Sequence, residues 1–507
     1  MSSKTNNYSK LEKKFEEITH LGNIAMIAHW DAATMLQKGS APSKQKEMAT
    51  FSSVLHRMET SQEIGGLIES SLEEFDHLDD WQRSNLANIK KSYDNQICIT
   101  SEIQHEYSIA SGECEFTWRQ ARIDNDFQKL EPYLDRVFDS VRRIAALKAD
   151  QLLKSPLDVL IDTYDPERTS VEIKSVFDVL KAELPSLINK ITDKQASEKI
   201  IPLTEKIDEA TQKAIGLKVI QKMGFDLDRG RLDKSVHPFC IGSNDDVRLT
   251  TRYDENNFLS SLFGVIHETG HGLYQQNLPV AYRNQPVGSP KGMAFHESQS
   301  LIMENQAAVS KPFMQCLAKI LKDDFSFSSA EYSAENLYGL ATRVKPSLIR
   351  VDADEATYPL HVILRFEIEE AIIEGNLRAA DLPELWNSKM QEYLGITSDT
   401  DADGCMQDVH WPSGSLGYFP SYTNGAIIAS MLMKSAKEKY SSIDSELALG
   451  KFDSLNKYLT DNLRTYGSSK ISTDLLQAAT GYKTVQPMIF IDYLKAKLFA
   501  ALKVPKA

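Results

Sequence analysis

Residues 264–273 read GVIHETGHGL and place two histidines four positions apart, with a glutamate directly after the first. On an α-helix, residues four apart lie about 6 Å apart along the axis on nearly one face. His267 and His271 can therefore each direct a ring nitrogen to one ion, at the roughly 2.0–2.1 Å usual for zinc. Glu268 sits one position round from His267, so it reaches water bound to that ion more readily than the ion itself. That is where a general base belongs. The competing reading is two histidines that hydrogen-bond on a polar helix face. With 11 histidines in 507 residues, chance HExxH matches number only about 0.02 per chain, so the metal reading is preferred. Gly270 and Gly272 cost a helix about 0.5–1 kcal/mol each relative to alanine. A close-packed active site gives a reason to carry them; a purely structural helix does not.

A catalytic zinc takes three protein ligands and keeps one position open. The segment AFHESQSLIMENQAA (294–308) reads as a helix returning antiparallel to the first. Glu297 is its first candidate ligand and Glu304, about two turns on, is the fallback. His296, an immediate neighbour of Glu297, is expected behind the ligands or in solvent.

These residues need a scaffold. Leu259, Leu262, Phe263, Ile266, Leu273 and Tyr274 put the histidines on a buried or half-buried helix. Just before it, VHPFCI (236–241) and VRLTTRY (247–253) are short β-prone runs joined by residues 242–246. Val247, Leu249 and Thr251 alternate with Arg248, Thr250 and Arg252, which predicts a small hairpin beside the histidine helix. That hairpin is either a surface ribbon or an edge that pairs with an extended peptide. Elsewhere helical periodicity dominates. Leu11, Phe15, Ile18, Leu21 and Ala25 line one helix face. Thr169 and Glu172 have capping-box spacing ahead of Ile173, Val176, Phe177 and Leu180. No repeat or linker breaks the pattern. The expected fold is mostly α, one large helical body over residues 1–507 that has room for two lobes.

The whole-chain bounds agree. Asp and Glu exceed Lys and Arg, 71 to 57, giving a formal net charge of −14, which opposes nucleic-acid binding. No run of 18 apolar residues predicts a membrane span, and the N-terminus lacks the pattern of a secretory signal. Five scattered cysteines (Cys98, Cys114, Cys240, Cys316 and Cys405) without a CxxC pair fit free thiols in a reducing compartment. A cytoplasmic location is expected.

HETGH followed by HESQS resembles the carboxypeptidase Taq family of metallocarboxypeptidases. Other motifs of that family stand here in order: WDAATM (30–35), HPF (237–239), DVRLT (246–250), IRVDAD (349–354) and GCMQDVHW (404–411). The resemblance implies a zinc- or cobalt-dependent enzyme that removes single residues from peptide C-termini with broad specificity. It implies one metal per chain on His267, His271 and Glu297, with Glu268 as acid/base. A nearly all-helical fold with a deep groove and a small sheet, and usually a homodimer, is implied as well.

An enzyme of that kind needs two further groups. A donor must meet the oxyanion, and His410, Tyr418 and Tyr422 in QDVHWPSGSLGYFPSY are the candidates. Hydrogen-bonded aromatic core is the competing reading for each. A guanidinium suits the substrate's terminal carboxylate, because its planar fork pairs with both oxygens. Arg350 is the first candidate, supported by the family motif, and Arg248 the second. Without that motif, Arg350 reads as the partner of Asp352, Asp354 or Glu355. Asp246, Asp354 and Asp408 are expected to orient metal ligands or Arg350. Gln407 and His237 are expected on the peptide backbone. The main alternative is an endo-acting oligopeptidase with the same metal apparatus, in which Arg350 is structural. A non-catalytic peptide-binding protein would lack Glu268 or Glu297, and both are present.

Overall fold

Apolar residues at helical spacing become buried stripes on long helices in this computed structural model, which describes residues 6–500. Helix Asn7–Thr34 buries Leu11, Phe15 and Ile18, with Tyr8 and Trp30 besides. Helix Ser170–Ala196 opens on the expected capping box. The Thr169 hydroxyl accepts from the Glu172 backbone N–H, and the Glu172 carboxylate accepts from the Thr169 N–H, both at 3.2 Å. Two orphan donors are thus satisfied, and Ile173, Phe177 and Leu180 face the core.

The core has two parts. The larger cluster draws on residues from Ala110 to Leu498. A smaller one, built on Tyr8, Leu11, Phe15, Ile64, Leu86 and Ile89, belongs to the N-terminal helices. Polar bonds join the two. The Asn85 amide donates to Gln285 at 2.9 Å, and Gln285 donates to the Glu12 carbonyl at 2.9 Å. Among the described residues, no helix is long and apolar enough to cross a membrane.

Three short strands, β1 (Gly230–Lys234), β2 (Phe239–Ser243) and β3 (Asp246–Thr251), stand in the order β1-β3-β2. The expected hairpin is β2 antiparallel to β3, with Gly242 opposite Val247 and Ser243 opposite Asp246. Val247, Leu249 and Thr251 are buried, as the alternation requires. Thr250 is buried as well, because its hydroxyl bonds Ser235 Oγ at 2.8 Å and accepts from the Phe239 N–H at 3.0 Å. The hairpin's leading strand, β2, starts at Phe239, later than expected, since Val236, His237 and Pro238 form a loop. β1, parallel to β3, is an addition to the expected hairpin. Its one apolar side chain, Leu232, lies among charges and gives no alternation to read.

Helix Phe258–Gln276 lies against this sheet and carries both histidines. Its glycines set its distance from neighbours. A Cβ on Gly270 would stand 2.3 Å from the Gln299 carbonyl oxygen of helix Gly292–Leu301. On helix Pro420–Lys439, a Cβ at Gly425 would stand 2.8 Å from the Glu297 Cβ. These contacts bring three helix backbones together around Glu297. The result is a mostly helical fold with one small sheet beside the histidine helix.

Candidate active site

His267 and His271 project from helix Phe258–Gln276, and Glu297 projects toward them from helix Gly292–Leu301. Their candidate ligand atoms all lie within 4.8 Å of one another. Glu297 oxygens stand 3.8 Å from His267 Nε2 and 3.4 Å from His271 Nε2. Atoms held at 2.0–2.1 Å around one tetrahedral ion are roughly 3.4 Å apart, so the set fits a zinc-sized cation. The far ring nitrogens are already engaged. His267 Nδ1 is 2.8 Å from Glu304 Oε2. His271 Nδ1 is 3.1 Å from the His296 carbonyl oxygen and 2.6 Å from His296 Nδ1. Such partners fix the tautomer and leave each Nε2 for the metal. Glu304, the fallback ligand, therefore lies behind His267. The His296 ring lies tilted against the His271 ring, with centroids 4.5 Å apart.

Electrostatics follow from burial and proximity. Burial opposes charge on His267, but Glu297 and Glu304 outweigh it and raise its pKa to about 10. Burial likewise opposes ionisation of Glu297, yet the adjacent histidines hold its carboxyl down to about 2. His296 is pushed down to about 3 by burial and by His271. Glu268 is 7 % exposed, and burial raises its carboxyl above the usual range although both ligand histidines oppose the rise.

Glu268 and Glu297 line a cavity of about 980 Å³. His237, Arg252 and Phe263 also line it, as do Arg350, Asp408 and His410. Arg350 is buried and held by Asp408, with Nη2 2.7 Å and Nε 3.2 Å from Oδ1. Its Nη1 donates to the Tyr358 hydroxyl at 2.6 Å. Five N–H groups on a guanidinium leave two donors unassigned by these bonds. Asp408 also accepts from Arg365 Nε at 2.8 Å. Burial would raise its carboxyl, but the two arginines hold it well below the usual carboxylate range.

A two-histidine, one-glutamate cluster in a groove with a buried, oriented arginine is the constellation that the HETGH, HESQS, IRVDAD and GCMQDVHW motifs predict. The carboxypeptidase Taq (M32) metallopeptidase model matches residues 10–498. The chain belongs to this family. Its sequence is 34% identical over 491 residues to carboxypeptidase 1 of Bacillus subtilis (strain 168), covering 96% of this chain and 97% of that one. It is 32% identical to thermostable carboxypeptidase 1 of Thermus thermophilus, with 98% of each chain covered. The metallocarboxypeptidase 1 structure of Trypanosoma cruzi superposes with a TM-score of 0.95 at 33% identity, over 97% of this chain and 99% of that one. This member is thus a metallocarboxypeptidase that takes a divalent metal.

In this carboxypeptidase Taq chain the remaining expected residues divide. Tyr422 and His410 line the groove, and Tyr418 packs behind Tyr422 with ring centroids 5.1 Å apart. Burial pushes His410 down to about 4, leaving a neutral ring whose Nδ1 has no hydrogen-bond partner. His237 is exposed at the groove wall. Gln407 also borders the groove, but its amide is spent on the protein. Its oxygen accepts from the Arg350 N–H at 2.8 Å and Arg365 Nη2 at 2.9 Å, and its nitrogen donates to the carbonyls of Asp403 and Leu348. It braces Arg350 where a peptide contact was expected.

Three expectations need correction. Arg248 does not line the groove: it pairs with Asp246 at 2.9 Å and lies 4.3 Å over the Trp30 ring. Asp246 accordingly orients Arg248 on the sheet and neither a metal ligand nor Arg350. Asp354 caps a turn, accepting from the backbone N–H groups of Lys345, Ala356 and Thr357 at 2.9 to 3.1 Å. It does not touch Arg350. The alternative partners Asp352, Asp354 and Glu355 yield to Asp408, which is far in sequence. Arg365, Tyr358 and Glu369 were missed. Glu369 accepts from Trp411 Nε1 and the Gly417 N–H, both at 2.9 Å, and fastens the GCMQDVHW loop. Its carboxyl is pushed up to about 7 by burial. A charged pair inside the apolar run YPLHVILRFEIEE was the available signal.

Proposed function

We propose that the enzyme removes C-terminal residues from peptides with broad specificity, using one zinc ion per chain and Glu268 as general acid/base. The observation carrying this reading is the convergence of His267, His271 and Glu297 beside a buried Glu268, in a groove that also presents Arg350. Two histidines and a carboxylate also suit cobalt or another divalent ion. When bound, the metal supplies Lewis-acid polarisation of the scissile carbonyl and of the attacking water. Glu268 accepts the water proton at a carboxylate oxygen and returns it to the leaving amine nitrogen. The raised Glu268 pKa favours that return. Tyr422, whose hydroxyl burial keeps protonated, and His410 stand on the groove wall to donate to the developing oxyanion.

Arg350 would receive the terminal carboxylate on its two remaining donors. Asp408 and Tyr358 hold the guanidinium still and Gln407 fixes the Arg350 backbone N–H, so little rotamer freedom is lost on binding. His237, exposed in the same groove, would contact the peptide backbone. The test of the chemistry is Glu268→Gln. The amide cannot accept the water proton, so metal content and fold should be retained while turnover falls by at least about 10²-fold. Substantial turnover with metal bound would remove Glu268 from the role.

A further inference from the structure

A second cavity, of about 480 Å³, lies among helices Lys311–Phe325, Pro420–Lys439 and Pro487–Leu498. Its volume falls within the roughly 300–1,000 Å³ of small-molecule sites. Val309 and Lys497 line both this cavity and the substrate groove. Val309, Met433, Ile489 and the Tyr338 ring give it an apolar interior. Three polar side chains of its lining, Tyr493, Tyr338 and Lys497, are already engaged by the protein. The Tyr493 hydroxyl donates to the Asn305 carbonyl at 3.0 Å and the Tyr338 hydroxyl to the Lys497 carbonyl at 2.7 Å. Lys497 Nζ is held by Glu355 at 2.6 Å and Asn305 at 2.9 Å. Beside Val309, Met433 and Ile489 a polar group would find no partner and would pay desolvation, whereas a hydrocarbon tail would not.

The remaining charge is mostly of one sign. Lys311, Lys434 and Lys437 stand with the apolar residues, and Asp492 is the one acidic side chain among the described residues of the lining. This reverses the chain's formal net charge of −14. Lys434 stands 3.9 Å from Glu438 and Lys437 2.7 Å from Asp444, all four side chains 40 to 65% exposed. Ion pairs so exposed are worth little and can be exchanged for a ligand carboxylate. A zwitterionic amino acid would carry its ammonium into the same lysines. We propose that this cavity binds a medium-chain fatty carboxylate, with its tail on Val309, Met433 and Ile489 and its head group on Lys434 and Lys437.

The test is calorimetric titration of the metal-loaded enzyme with decanoate, with decanol and decylammonium as controls. One saturable decanoate site is expected, with both controls at least tenfold weaker. Ile489→Trp, which fills the cavity, should abolish binding. The surface pair Lys434→Glu with Lys437→Glu should weaken it at least tenfold while melting like the parent. No saturable decanoate binding would overturn the proposal, as would equal affinity for decanol or indifference to the lysine pair. Displacement of decanoate by a peptide bound in the substrate groove would also overturn it, by placing the ligand in the groove.

Discussion

Arg350 and Glu304 are both charged residues whose work depends on what stands behind or before them. Glu304 holds His267 through Nδ1, and losing such a partner typically costs about 10- to 100-fold in metal affinity. Glu304→Gln should therefore bind metal about that much more weakly in equilibrium dialysis, whereas Glu297→Ala should bind none stoichiometrically. Equal retention by both would remove Glu297 from the ligand set. Because its carboxylate neighbours raise His267 to about 10, the metal-free ring carries a proton at neutral pH, and an incoming metal must displace it. Affinity should then rise with pH, roughly tenfold per unit between about pH 6 and 8. Chelator competition measures this, and a flat profile would show that His267 is already neutral. Arg350→Ala should lose about 1.5–3 kcal/mol of charge-assisted bonding to a terminal carboxylate. That is roughly a 10- to 150-fold fall in kcat/KM on free-acid peptides. Little change is expected on amidated peptides. Equal losses on both would make Arg350 a brace of the loop that Asp408 and Gln407 share.

The elements make these contacts possible by their closeness. Gly270 lets the histidine helix touch the backbone of the HESQS helix. Gly270→Val should therefore force the helices apart, cost about 1–3 kcal/mol of stability and lower metal occupancy in proportion. A thermal melt with metal analysis would expose the opposite outcome, an unstrained variant with full metal. Helix geometry is local, so the four-residue spacing was enough to place His267, His271 and Glu268 on one turn of sequence. Capping chemistry is local too, and Thr169 with Glu172 were legible for that reason. Arg350, Asp408 and Arg365 meet across long stretches of chain, and nothing within a window around any one of them says which carboxylate it will find. Asp352 and Asp354 were nearer in sequence, but the turn before helix Tyr358–Ile373 uses Asp354 as its cap. β1 escaped notice because a parallel partner two strands away in sequence supplied its pairing. Trp30 was visible only as part of a motif; its physical role, between Arg231 and Arg248 at 4.8 and 4.3 Å, required the fold.

At the scale of the molecule, one groove is lined by His267, Glu268, Glu297 and Arg350, and under the proposed roles that combination suits cutting near a chain end. An endo-acting enzyme with the same metal ligands would not need that guanidinium to meet a carboxylate. The chain's family membership makes it a carboxypeptidase; the proposed roles would add a physical reason, the pairing of a polarising cation with Arg350 as a fixed carboxylate receptor. The most direct measurement is hydrolysis of one peptide prepared as the free acid and as the C-terminal amide, followed by mass spectrometry. The free acid should lose residues one at a time from its C-terminus, and the amide should react at least about tenfold more slowly. Equal rates, with internal fragments from both, would contradict the account.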